Sequence, residues 1–284
     1  MSDPVVVTGA GGFIGEYLAR HLRRRDRDVV AWRRVDVDLT DPDAVQEAVA
    51  GVRPRVVYHL ASVGLRREEV HDPATVATNV AMVANLVAAM PSGALLVLAG
   101  TMSEYGEGGV LSEARPCRPT TAYGISKFAA GAYALAYGPE RHVRVHVMRI
   151  FATYGRGEGD YRLFPSLVRG LRGGRPVALS DGSQVRDFVH AADVTEAMVR
   201  VAEEHAEECL VSNVGTGVGL PVGDVCRWVA DALGADRALL AFGARPRSPG
   251  DADVLVADTQ RLRRLAGWVP PQRLGPDMEL SLFE

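Results

Sequence analysis

Tyr123 and Lys127 stand four residues apart in the segment Tyr123-Gly124-Ile125-Ser126-Lys127. On a helix, residues at i and i+4 share one face with Cβ atoms about 5–6 Å apart, so this phenol and this ammonium point together. A cation beside a phenol favours the phenolate and lowers a pKa that is otherwise about 10. Such a tyrosine exchanges a proton with an alcohol or carbonyl near neutral pH. Lys127 is the one lysine among 32 Lys and Arg residues. In a chain that otherwise uses arginine, it marks a position where a compact ammonium serves and a planar guanidinium does not. A third polar group, Thr101, follows the apolar run Leu95 to Ala99, at the carboxyl end where parallel sheets place their ligands.

Val5 to Gly15, VVVTGAGGFIG, supplies a second chemistry. Three valines run through glycines into a segment with Ile14, Leu18 and Leu22 at helical spacing, which predicts strand, tight turn and helix. The unpaired N–H groups and dipole of that helix start make an anion site suited to a dinucleotide pyrophosphate. Gly9, Gly12, Phe13, Ile14 and Gly15 are its candidate contacts. The spacing Gly-x-x-Gly-x-x-Gly departs from the commonest dinucleotide fingerprint, and a purely structural turn needing positive φ competes with it. Arg33 stands where a carboxylate for the ribose hydroxyls of NAD would be, and an arginine there takes the 2′-phosphate of NADP. This favours NADP(H), with NAD(H) the alternative if Arg33 and Arg34 are solvated surface charges. Asp38 and Leu39 meet the adenine edge, and Leu60, Ala61 and Ser62 let the backbone approach the pyrophosphate and adjoining ribose.

Positioning these groups requires a particular set of elements. Asp28 to Trp32, Val56 to Leu60, Leu95 to Ala99 and Val143 to Met148 read as buried strands. Helices read between them: one started by Asp41 or Thr40 with Pro42, one from Pro73 to Met90, and Pro119 to Tyr137, which contains the Tyr-Lys pair. Alternating apolar strands and helices predict an α/β doubly wound parallel sheet. Ile150, at the exit of the Val143 strand, joins the cofactor set. Asn79 braces the loops around the site, and His59, inside an apolar strand, reads as a core residue with a satisfied hydrogen bond. Further helices read at Phe164 to Leu171, Ala191 to Glu204 and Val222 to Leu233. Short strands read at Leu210 to Val214, Val177 to Leu179 and Val254 to Ala257, and Tyr154 to Asp160 reads as a glycine-rich substrate loop. Residues 1–160 form the expected dinucleotide domain, with about 185–215 returning to it and 161–284 mainly forming a second lobe.

Bulk properties exclude other classes. A chain of 284 residues with 47% hydrophobic residues buries a substantial core. A net charge of -3 argues against a nucleic-acid or anionic-membrane surface. Cys117, Cys209 and Cys226 lack C-x-x-C spacing, so no disulfide framework and no metal site is expected. The first strand begins at about residue 4, which leaves no room for a signal peptide, and no run is long enough to span a bilayer. A cytoplasmic protein is expected. The helices Thr75 to Met90 and Phe128 to Tyr137 are apolar on more than one face, which predicts a homodimer burying them; packing within the monomer is the competing account.

Taken together, TGAGGFIG, Thr101 four residues before Tyr105-Gly106, YGISK, QVRDFVHAADV at 184–194, PGD at 249–251 and LAGWVP at 265–270 resemble the extended short-chain dehydrogenase/reductase family, in its NAD-dependent epimerase/dehydratase branch. The resemblance implies a Rossmann doubly wound parallel sheet with a small C-terminal α/β substrate lobe closing over a nucleotide-diphosphate sugar. It gives Tyr123 the acid/base role, Lys127 the nicotinamide ribose and the tuning of Tyr123, and Thr101 a hydrogen bond to the sugar oxygen. It implies substrate contacts by Ser103, Glu104, Arg186 and Arg247. Arg186 would pair with substrate phosphate through its bidentate donors, unless it is a structural ion pair with Asp187 or Asp193.

The reaction is read from the departures. Dehydratases of the family carry an Asp-Glu or Ser-Glu pair after the threonine; here Met102 and Ser103 follow it, with Glu104 displaced by one. Methionine transfers no proton, which disfavours dehydration. Ser103 replaces the cysteine that 3,5-epimerisation uses. An NADPH-dependent 4-ketoreductase and an NAD(H)-retaining 4-epimerase remain, and Arg33 favours the reductase. Ala152 stands where many relatives have asparagine, and Ser248 where they have arginine, so the substrate grip differs in detail. A non-catalytic NADP-binding protein of this fold would commonly lack the Tyr and Lys that this chain keeps.

Overall fold

The computed structural model describes residues 4–65, 69, 72–204, 209–247 and 251–283. Chain order begins β1 (Val5–Thr8), α1 (Phe13–Arg24), β2 (Val29–Trp32), α2 (Pro42–Val52), β3 (Val56–His59), α3 (Ala74–Ala89), β4 (Leu95–Thr101), β5 (Gly109–Leu111), α4 (Ala122–Tyr137) and β6 (Arg144–Ile150). It continues with β7 (Ala152–Tyr154), α5 (Leu163–Arg172), β8 (Val177–Ala178), β9 (Val185–His190), α6 (Ala191–Glu204) and β10 (Leu210–Val214). The last elements are β11 (Gly219–Pro221), α7 (Val222–Ala232), β12 (Leu240–Ala241), β13 (Val254–Ala257) and α8 (Gln260–Ala266).

Six strands form one parallel sheet in the order β10-β6-β4-β3-β1-β2. Successive side chains on a strand point to opposite faces, so a strand covered on both sides must be apolar throughout. Val5 and Val7 enter one core with Leu18 and Leu22 of α1, Met198 of α6 and Leu262 of α8. Val6, between them, enters the other with Val45 of α2, Leu86 of α3 and Ala130 of α4. Helices therefore cover both faces, as in the doubly wound sheet that the sequence predicts. Local signals set the helix starts: Asp41 accepts hydrogen bonds from the N–H groups of Asp43 and Ala44 with Pro42 in the first turn of α2, and Thr121 caps α4 through Gly124 N–H.

A second sheet runs β11-β9-β13-β5, with β7 beside β9. A third core gathers Phe164 and Leu167 of α5, Val225 and Val229 of α7 and Leu240 of β12. Here the structure adds to the sequence reading. β5, β7, β9, β11, β12 and α8 were not expected as elements. Four of those strands have only two or three residues, too short for an alternation pattern to register. β5 lies in the first half of the chain yet pairs with β13, so the second layer is not one contiguous C-terminal piece. Conversely, α6 and α8 pack into the core of the first sheet. The β4 strand runs to Thr101, beyond the expected Ala99, because its pairing with β6 continues through Thr101 opposite Ile150.

Candidate active site

The glycine turn between β1 and α1 is built by close approach. Gly9 has φ +64°, and a Cβ there would lie 2.6 Å from Ala61 N. Only glycine brings these two loops together at that distance. Gly12 caps α1 without a side-chain hydrogen bond, which leaves first-turn N–H groups for an anion. Thr8 links the same loops: its hydroxyl lies 2.8 Å from His59 Nδ1 and accepts from Ala61 N at 3.3 Å. Burial, followed by the Lys127 charge, pushes His59 down to about 3. It is therefore a neutral core residue.

Arg33 leaves the end of β2 with its stem over Gly11. Its Nε and Nη2 donate to Asp36 at 3.0 and 3.2 Å, and Asp36 also accepts from Arg33 N at 2.9 Å. Sequence reasoning did not foresee this carboxylate partner, although a turn-forming Asp three residues on was the available signal. Asp38 folds onto Thr40, accepting from its N–H and hydroxyl at 2.9 and 2.7 Å. These bonds hold its carboxyl below the usual range.

Tyr123 and Lys127 lie on α4, whose approach to the Thr101 turn depends on Gly124. A Cβ there would meet Ser103 O at 2.6 Å. Asn79 of α3 fixes the surroundings: its amide accepts from Val63 N at 3.0 Å and donates to Ser126 Oγ at 2.8 Å. Ser126 in turn donates to the Tyr123 carbonyl at 2.7 Å. Burial raises the Tyr123 phenol to about 12, opposed first by the Arg162 charge and last by a hydrogen bond to Ser62. The expected lowering by Lys127 is thus corrected for the protein alone. Desolvation weakens the ammonium itself, bringing Lys127 down to about 8 against the pull of Glu104.

Three of the expected substrate contacts are engaged by protein partners. Glu104 does not reach the cavity: its carboxylate accepts from Thr101 N at 2.8 Å and from Arg149 Nε at 2.9 Å, and the residue is 1% exposed. It completes a capping box with Thr101, whose hydroxyl accepts from Ser103 N. Arg186 forms its ion pair with Asp251, not Asp187 or Asp193, and donates to the carbonyls of Val185 and Asp253. Arg247 pairs with Asp253 at 2.7 Å. Neither arginine is among the lining of the cavity that holds Tyr123. Asp187 is instead buried under N–H groups of Thr216, Gly217 and Ala257. Ser248, and Pro249 and Gly250 of the PGD segment, lie outside the described residues.

One cavity of about 760 Å³ joins the remaining candidates. Its lining includes Gly9, Gly12, Phe13, Ile14 and Gly15, Arg33, Asp38 and Leu39, and Leu60, Ala61 and Ser62. Thr101, Ser103, Tyr123, Lys127 and Ile150 line the same cavity. Thr121, Thr153, Tyr161 and Arg162 also face it, and sequence reasoning missed them. Arg162 is one arginine among 31 in a loop, so no sequence signal singles it out. The volume lies within the range of about 300–1,000 Å³ typical of small-molecule sites. Among the described residues, no cluster of three His, Cys, Asp or Glu forms a metal site and no helix is long and apolar enough to cross a membrane.

Residues 5–215 match the NAD dependent epimerase/dehydratase family. The chain belongs to that family. Its architecture is that of the extended short-chain dehydrogenase/reductase branch. GDP-6-deoxy-D-mannose reductase of Pseudomonas aeruginosa is 28% identical over 292 residues, spanning 95% of this chain and 93% of that protein. Among solved structures, UDP-glucose 4-epimerase of Thermus thermophilus in complex with NAD is 28% identical, with a TM-score of 0.84 over 98% of this chain and 97% of that one. RMD from Pseudomonas aeruginosa complexed with NADPH is 25% identical, with a TM-score of 0.83 over 96% and 93%. Membership places this chain in a nucleotide-sugar-modifying family whose members are NAD(P)-dependent. The cradle at Gly9 and the uncapped start of α1 fit a dinucleotide, and the cavity runs from there to Tyr123 without interruption.

Proposed function

We propose that this protein reduces the 4-keto group of a nucleotide-activated 4-keto-6-deoxyhexose, a dTDP sugar being the first to test, with NADPH as consumed hydride donor. NADPH, when bound along Gly9, Gly12 and Lys127, would supply the hydride that C4 receives. Tyr123 gives its phenolic proton to the C4 oxygen, and Thr101 and Ser103 orient that oxygen by hydrogen bonds. Lys127 holds the nicotinamide ribose and offsets the negative charge left on Tyr123. The first sheet and its helices, drawn mainly from residues 1–160 with α6 and β10 returning to it, hold the dinucleotide, and the second layer, which β5, β7 and β9 join, holds the sugar nucleotide. Arg186 and Arg247, joined through Asp251, serve the diphosphate once it competes with that carboxylate.

The observation behind this reading is Arg33 at the cavity wall where β2 ends, in place of a carboxylate. Asp36 engages its Nε and Nη2, and Nη1 carries two further donors for a 2′-phosphate. Met102 at the position after Thr101 supports reduction over dehydration, since a thioether moves no proton. A 4-epimerase retaining NAD(H) is the second reading, favoured by the Asp36 carboxylate that neutralises Arg33 and by the likeness to UDP-glucose 4-epimerase.

Purified protein mixed with NADPH or NADH and a dTDP-4-keto-6-deoxyhexose separates the two. Stoichiometric loss of reduced nicotinamide absorbance with NADPH is expected. Interconversion of UDP-hexoses at C4 without net oxidation would establish the epimerase instead. A homodimer through α3 and α4 is part of the proposal, supported by exposed Ile125, Phe128 and Tyr137 on α4. Sedimentation at micromolar concentration tests it, and a monomer would refute it.

A further inference from the structure

The loop between β7 and α5 carries a buried acid that the mechanism above does not use. Glu158 has a side chain only 3% exposed; its Oε1 accepts from Arg162 Nε at 2.8 Å. Its Oε2 is buried without a partner among the described residues. A lone carboxylate oxygen away from water is costly, and burial pushes Glu158 up to about 7, against the pull of Arg162. Arg162 of this ion pair and its neighbour Tyr161 line the cavity that Tyr123 and Ser103 also line. The bond to Glu158 uses Nε and leaves the four donors of the terminal nitrogens outside that pair.

We propose that Arg162, held through its Nε by Glu158, is a positioning residue for Tyr123, placing a second cation on the cavity wall where it favours release of the phenolic proton. The charged and polar groups around Tyr123 come from several elements, Glu104 acting from behind the cavity lining. Lys127 comes from its own helix, Glu104 from the turn after β4, Ser62 from the loop after β3, and Tyr161 and Arg162 from the loop before α5. The Arg162 charge opposes the upward push of burial on that phenol, with a smaller contribution from Ser62, while Glu104 and Tyr161 push in the same direction as burial. Glu158 sets how much of the Arg162 charge is felt: ionised, it neutralises the guanidinium; protonated near neutral pH, it leaves the charge to the cavity. Arg162 acts through Tyr123, so its effect falls on proton transfer more than on substrate affinity.

This rests on Tyr123 as the proton donor, and the test separates the two claims. The ultraviolet difference titration of wild type against Tyr123→Phe isolates the phenol without requiring turnover. In Glu158→Gln, which keeps the shape but removes the neutralising charge, the Tyr123 midpoint is expected to fall by about one pH unit; in Arg162→Gln it is expected to rise. Arg162→Lys restores the wild-type direction. With NADPH and the sugar nucleotide, Arg162→Gln is expected to lose about tenfold in kcat with KM for the sugar changed less than twofold. Midpoints that stay put, or that move the same way in both variants, overturn the inference. A rise in KM alone would make Arg162 a substrate ligand and also overturns it. Opposite shifts in a protein whose Tyr123→Phe variant turns over normally would uphold the electrostatic relation and sink the donor assignment.

Discussion

Glu104 lies 2.9 Å from Arg149 and closes the turn that presents Thr101. Both side chains are buried, and Arg149 also stacks 4.7 Å over the Tyr105 ring. Removing one partner of such a pair leaves an uncompensated charge, at a cost of about 3–5 kcal/mol. Glu104→Gln is therefore expected to lower the unfolding midpoint by several degrees and to loosen Thr101. Thermal unfolding followed by circular dichroism checks it, and an unchanged midpoint would show that the pair contributes nothing net.

Lys127 trades stability for chemistry. Its folded pKa of about 8 lies below the ordinary 10.5, so below pH 8 the fold holds a charged ammonium against desolvation. That penalty is relieved as pH rises from 8 towards 10.5. Lys127→Met is expected to abolish turnover while stabilising the fold at pH 7 by up to about 3 kcal/mol. Urea melts at pH 7 and pH 10 measure this, and a gain that does not shrink at the higher pH would contradict it.

Tyr123→Phe is expected to cut turnover by at least about a hundredfold, the lower range for a positioned acid. Binding of the dinucleotide, followed by nicotinamide fluorescence, is expected to be unchanged. Full activity in the variant would eliminate Tyr123 as the proton donor.

Cofactor choice turns on Arg33 and Asp36. Arg33→Asp is expected to shift preference towards NADH, and Asp36→Asn, by releasing the guanidinium, to tighten NADPH by about tenfold. NADH affinity is expected to stay level in Asp36→Asn. Equal changes for both cofactors would deny the 2′-phosphate role.

His59 makes the fold acid-sensitive. Its folded pKa of about 3 lies below the ordinary 6.5, so the unfolded chain takes a proton that the native chain refuses. Stability is expected to fall as pH drops below 6.5, by up to about 1.4 kcal/mol per unit from this residue. His59→Gln should show a shallower decline between pH 6.5 and 4 in urea melts; parallel curves would dismiss the assignment.

Period and punctuation in the chain determine a good deal by themselves. The doubly wound sheet follows from apolar strands that need cover on both faces, and the strand-turn-helix start from Val5 to Gly15. Tyr123 and Lys127 come together because four residues make about one helical turn. These are local relations, written in a few adjacent residues. What only the tertiary structure decides is how distant segments meet. Glu104 reads as a substrate contact until Arg149, 45 positions later, claims its carboxylate. Arg186 reads as a phosphate ligand or a partner of Asp187 or Asp193 until Asp251 appears beside it, and β5 does not read as a strand until β13 supplies its partner. Arg162 is indistinguishable in sequence from its fellow arginines. It acquires a role only when the loop before α5 folds against the cavity wall that Tyr123 shares, because charge acts through space and not along the chain.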